Sequence, residues 1–202
     1  LAFNIFANVG DIPSNELPSD TAVQTGGAGP KAASVKCSGN LWSQVFAGGS
    51  PPAGINADYV VAVASIPAAA FDAAGRTIDI TAFGSFAANA DSKTAKLIVN
   101  PTTANIGSAV VGGTTIASTG AVTTNGGGWK LGASITKTGA KGSNTQNSYQ
   151  TEAQTGAAVD ALQAPSALTL NESNTITVAL TIDAVTTATD CEVWSFKGRW
   201  SN

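Results

Sequence analysis

The stretch Gly75–Val99, GRTIDITAFGSFAANADSKTAKLIV, holds two runs of alternating apolar and polar residues separated by a bend of small, soft residues. Alternation with a period of two marks a strand that turns one face to a core. Ile78 and Ile80 fall on one side of the first run, with Thr77, Asp79 and Thr81 on the other. In the second run Ala95, Leu97 and Val99 fall together, opposite Lys96. Asn89, Asp91 and Ser92 are turn formers, so the stretch reads as a β-hairpin with Ile78, Ile80, Leu97 and Val99 pointing into the fold. Any binding role is then confined to the exposed tip.

The same period recurs from Ser34 onward. SVKCSGNLWSQVF reads as a broken strand or hairpin around Ser38, Gly39 and Asn40. ADYVVAVASI is apolar on both faces and suits a central, doubly covered strand. GWKLGASITKT places Trp129, Leu131, Ala133 and Ile135 inward, and TITVALTID does the same for Ile176, Val178, Leu180 and Ile182. CEVWSFKGRW reads as a last strand with Trp194 and Phe196 on one face. Helix signals are poor. The best run, EAQTGAAVDALQ, contains Gly156, which costs about 1 kcal/mol relative to Ala in a helix interior, so it reads as one helical turn or an extended loop. IPAAAFDAAG reads as a brief turn of helix between Pro67 and Gly75. Many short strands spaced by Gly, Asn and Ser give an all-β fold, a jelly-roll β-sandwich.

A chain of 202 residues fits one large all-β domain or a domain with an arm. Residues 1–33 carry three prolines and scattered turn formers and read as an extended N-terminal arm; residues 34–202 form the sandwich domain. Charged residues are only 11% of the chain and net charge is −3, with no basic cluster, so a nucleic-acid partner is not expected. No apolar run approaches the roughly 18 residues of a membrane span, and no basic segment followed by an apolar one marks a secretory signal. Neither a membrane nor an export route is therefore expected. Cys37 and Cys191 allow one disulfide, but two buried thiols in a reducing cytoplasm are the preferred reading.

The chain has no histidine. Ser-His-Asp and Cys-His catalysis, histidine metal sites and a near-neutral proton shuttle fall together. No cofactor, metal or catalytic residue is expected, and the chain reads as not an enzyme. Carboxylates remain: Asp72 and Asp79, then Asp183, Asp190 and Glu192, with Asp190 and Glu192 sharing one face of a strand about 7 Å apart. A glycosidase needs only two carboxylates about 5–10 Å apart, but sequence proximity alone supports this pair, so catalysis is not expected of it. Asn125–Gly128 lacks the Lys and Ser/Thr of a phosphate loop and reads as a hairpin turn feeding Trp129. Asn171–Ser173 matches a glycosylation sequon without an export signal to give it meaning. Trp129 reads as core, Trp42 and Tyr149 as possible sugar-stacking residues, and Trp200 as an intersubunit contact.

The runs IPAAAFDAAGRTIDITAFGSFAANADSKTAKLIV, GGGWKLGASITKTGA and NTITVALTIDAVTTATDCEVWSFKGRWSN resemble jelly-roll virion proteins of tailed bacteriophages, of the tumour-necrosis-factor-like or cement type. The resemblance covers residues 59–202 and omits the arm. It implies a homotrimer that decorates the outer capsid surface, assembled in the host cytoplasm, with the major capsid protein as partner. It also permits a receptor- or glycan-binding fibre tip, with Trp42 and Tyr149 as the contacts. In the decoration role Phe3, Ile5 and Phe6 of the arm would dock on a neighbouring subunit or the capsid.

Overall fold

A computed structural model describes residues 38–123, 126–156, 158–159 and 162–201. The arm, with Phe3, Ile5 and Phe6, and Cys37 lie outside the described residues. Two antiparallel sheets pack face to face as a β-sandwich. In chain order the strands are β1 (Ser38–Val45), β2 (Tyr59–Ile66), β3 (Thr77–Phe86), β4 (Lys93–Val99), β5 (Thr114–Ser118) and β6 (Gly127–Lys137). There follow β7 (Gln146–Thr155), β8 (Ala158–Val159), β9 (Ser166–Leu168), β10 (Ile176–Ala184) and β11 (Cys191–Ser201), with a 3-10 turn at Ala188–Asp190. The large sheet runs β1-β11-β3-β6-β7-β8, with β9 also bonded to β7, and the small sheet runs β2-β10-β4-β5. The pairing is nested: β1 with β11, β2 with β10, β3 with β6 and β4 with β5.

The core lies between the sheets and follows the alternation in the sequence. Ile78, Ile80, Trp129, Leu131, Ile135, Leu97, Val99, Ile176, Val178, Leu180 and Ile182 are all buried. Each large aliphatic among them contributes about 1.5–3 kcal/mol by leaving water. Two inward tryptophans sit opposite glycines in the ladder. Trp129 pairs with Gly84 and Trp42 with Gly198. A Cβ on Gly198 would lie 2.3 Å from the Trp42 ring, and one on Gly84 would lie 1.8 Å from the Glu192 carbonyl and 2.6 Å from the Trp129 ring. The absent side chains make the space the indoles fill.

The Gly75–Val99 stretch corrects the hairpin reading. β3 and β4 point Ile78, Ile80, Leu97 and Val99 inward as expected, but they belong to different sheets. Both edges of β3 are taken, by β11 and β6, so β4 cannot fold back beside it. The bend carries the chain across the sandwich instead, held by the Ala87 N–H donating to the Asp190 carbonyl at 2.8 Å.

Other expectations shift for similarly local reasons. β1 is one strand with a bulge between Asn40 and Trp42, not a hairpin. β2 is an edge strand, not a central one; its free edge is bonded by the loop after β4, where Val60 N–H donates to the Ser108 carbonyl at 2.9 Å. Outside the small sheet, Lys96 and Asp58 form an ion pair at 2.8 Å across β10, near the buried Thr181. The run from Glu152 to Thr155 is strand, and the Pro67–Gly75 segment forms turns without helix while plugging the core with Phe71.

Two glutamine amides, Gln150 and Gln44, tie one sheet to the other, and a third, Gln146, ties β7 to the loop between β9 and β10. Gln150 on β7 donates to the Ser118 carbonyl at 2.9 Å and accepts the Ser118 N–H at 3.4 Å. Gln146 makes the same two-way contact with Leu170, at 3.2 and 2.9 Å. Gln44 on β1 donates to the Val63 carbonyl of β2 at 2.8 Å. A carboxamide offers the donor and acceptor of a peptide group, so it can satisfy a strand edge as another strand would.

Candidate functional site

With the inner faces filled, the exposed chemistry gathers on the outer face of the large sheet. Antiparallel register sets the side chains in rows across β1, β11, β3, β6 and β7. One row is Asn40, Arg199, Asp79, Ser134 and Tyr149; the next is Ser43, Lys197, Thr81, Gly132 and Glu152; a third is Val45, Ser195, Phe83, Lys130 and Gln154. Asn40, Ser43, Asp79, Thr81, Lys197 and Arg199 line a shallow groove there.

The electrostatics of this face are uneven. Asp79 accepts a hydrogen bond from Ser134 Oγ, and Lys130 pairs with Glu152 at 2.8 Å. Lys197 and Arg199 are exposed and make no ion pair among the described residues. Beyond them Val45, Phe83 and Trp194 form an apolar end, with Phe83 42% and Trp194 38% exposed. Trp194 Nε1 donates to Ser85 Oγ at 3.1 Å, and Ser85 Oγ donates to Glu192 Oε2 at 3.2 Å, which fixes the indole on the surface. The face thus offers an oriented aromatic, unpaired cations and several neutral hydrogen-bonding groups.

Tyr149 lies on this face, 38% exposed. Trp42 does not; its ring faces inward, 5.3 Å from Phe196. Trp200 is half-buried against the core of its own chain, with the Arg76 guanidinium 5.1 Å above its ring. Trp194 and Phe196 part company because a bulge between Val193 and Ser195 turns Trp194 outward. The expected pairing of Asp190 with Glu192 on one strand face also fails: Asp190 is buried in the 3-10 turn, whereas Glu192 points outward from β11. Among the described residues no three His, Cys, Asp or Glu side chains are grouped to hold a metal ion.

Two buried polar clusters were not foreseen. At one end of the sandwich Lys137 Nζ bonds to Glu172 Oε1 and, at 2.7 Å, to Ser143 Oγ. Glu172 also takes Gln146 Nε2 and the Gly142 N–H, the latter at 3.0 Å. At the other end lie Lys93, Asn89, Asp190 and the free thiol of Cys191. Burial pushes that thiol up from 9.0 to about 12, opposed by the Lys93 charge and helped by Asp190 and Asp183. Both lysines fall on the inward phase of their strands, which was the available signal. No family model, no curated protein and no solved structure matches this chain.

Proposed function

We propose that the chain is a non-catalytic structural protein of a tailed bacteriophage, a trimeric decoration (cement) protein that binds and stabilises the outer capsid surface. The observation that carries the reading is the outer face of the large sheet, where Lys197 and Arg199, without an ion pair among the described residues, stand beside the apolar patch of Val45, Phe83 and Trp194. Desolvated aromatics and cations together are what a contact surface needs. The nested strand order accords with a jelly roll, whose winding joins outermost strands to each other and inner ones within. A net charge of −3 limits repulsion among crowded copies. Trimers of the purified protein are expected to co-sediment with undecorated capsids, and the double variant Lys197→Glu, Arg199→Glu to remain folded but stay in the supernatant. Binding by that variant at the wild-type level would remove this face from the interface; failure of the wild type to bind would remove the function.

A second reading is a glycan- or receptor-binding fibre tip, favoured by the fixed Trp194 indole near the hydrogen-bonding groove. An aromatic contact of this kind contributes about 0.5–1.5 kcal/mol. Signals on a glycan array that vanish in Trp194→Ala would support it, and a blank array would end it.

A further inference from the structure

Lys93 opens β4 with 1% of its surface exposed. Its Nζ donates to the main-chain carbonyl of Asn89 at 3.1 Å and to the side-chain Oδ1 of the same residue. No carboxylate stands within ion-pair distance of it among the described residues, whereas the other buried lysine, Lys137, has Glu172. An ammonium buried with only neutral acceptors is costly. The surroundings of the Asn89 amide are specific. Its Oδ1 also accepts the Asp91 main-chain N–H at 3.2 Å, and its Nδ2 donates to Asp190 Oδ1 at 3.0 Å. Asp190 is itself buried, and its second oxygen has no partner among the described residues.

These are the parts of an acyl transfer: an amine against a carboxamide, a main-chain N–H on the oxygen that would gain charge, and a carboxylate on the nitrogen that would leave. We propose that Lys93 Nζ and Asn89 Cγ join in an isopeptide bond, formed in the folded protein with release of ammonia. Nζ gives one proton to the free Oδ2 of the Asp190 carboxylate and attacks Cγ, and the carbonyl electrons move onto Oδ1 under the Asp91 N–H. Both nitrogens then sit on one carbon beside Asp190, which relays protons from Nζ to Nδ2. The Cγ–Nδ2 bond breaks and the carbonyl reforms. In total the lysine ammonium loses two protons, the leaving amide nitrogen gains two, and the products are a secondary amide and ammonium. No oxidant or co-reactant is required. The product removes the unpaired buried charge and ties the crossover bend to the first residue of β4.

Trypsin and intact-mass spectrometry test this on the full-length protein as purified. The whole chain is expected to weigh one ammonia less than its sequence. Trypsin does not cut after an acylated lysine, so the tryptic peptide is expected to run from Thr77 through Lys93 to Lys96 and to carry the deficit. Asp190→Asn is expected to restore the full mass and cleavage after Lys93. A wild-type protein at full sequence mass and cut after Lys93 overturns the proposal. So does a deficit of one ammonia in a peptide still cleaved after Lys93, which would mark a cyclised asparagine. Because the wild-type digest decides the matter, a variant that fails to fold does not obscure it.

Discussion

The two ends of the sandwich each bury a lysine, and they do so in opposite ways. At the β6 end Lys137 meets Glu172, and every group around that carboxylate is bonded to it or to a neighbour. At the β4 end Lys93 meets, among the described residues, only an asparagine, while Asp183 and Asp190 each keep one buried oxygen with no partner among them. A charge removed from water needs both an opposite charge and a full set of hydrogen bonds. The Lys137 end satisfies that demand by pairing. The Lys93 end leaves it open, and a covalent bond from Lys93 to Asn89 would close it.

The largest effect is expected from Glu172→Ala. It strands Lys137 in the interior and should lower unfolding stability by about 3–5 kcal/mol, read from the urea midpoint. Replacing the pair together, Lys137→Met with Glu172→Leu, should cost less than the single change. If the double variant is the worse of the two, the network is more than a charge pair.

Next comes the alkaline limb. The Cys191 thiol is raised to about 12 in the folded chain, so its contribution is intact below 9.0 and is lost as pH climbs toward 12. Stability should fall across that window, by no more than about 1.4 kcal/mol per pH unit from this group. Cys191→Ala should flatten that share of the slope; an unchanged slope would place the titration elsewhere.

Lys93→Met removes the link to Asn89 but breaks no ion pair among the described residues, so it should cost about 1 kcal/mol, well below the loss from Glu172→Ala. A loss as large as that of Glu172→Ala would erase the contrast between the ends. Smallest of all, Lys197→Glu and Arg199→Glu on the exposed face should each change stability by within about 0.5 kcal/mol, checked by the same urea titration.

The inward phases of β3, β4, β6 and β10 were legible because apolar residues alternate there without interruption. Pairing was not, since alternation says which way Leu97 points and nothing about which strand lies beside it. β7 escaped notice because its inward positions Gln146, Ser148 and Gln150 are polar; their partners are main-chain groups of distant residues. Trp194 departs from the face of Phe196 because one extra residue in a strand inverts the parity beyond it. The outward Lys197 and Arg199 could be read two apart in the alternation, but not their lack of partners, which depends on the β3 and β1 neighbours. Lys93 and Lys137 take the inward phase of β4 and β6, but the loop groups that receive them, Asn89 and Glu172, lie outside those strands and leave no mark in the alternation.

The glutamine amides have a consequence for how copies of this chain can meet. A sheet with a bare margin invites another molecule to continue it, and such growth has no natural stopping point. Here Gln150 occupies the margin at Ser118 on β5, while the loop at Ser108 and the Gln44 amide occupy β2. Those margins of the small sheet are closed to recruitment of a foreign strand. Copies packed at high local density would therefore not grow through the small sheet, and contacts made there would run through side chains, which complementarity can limit to a fixed number.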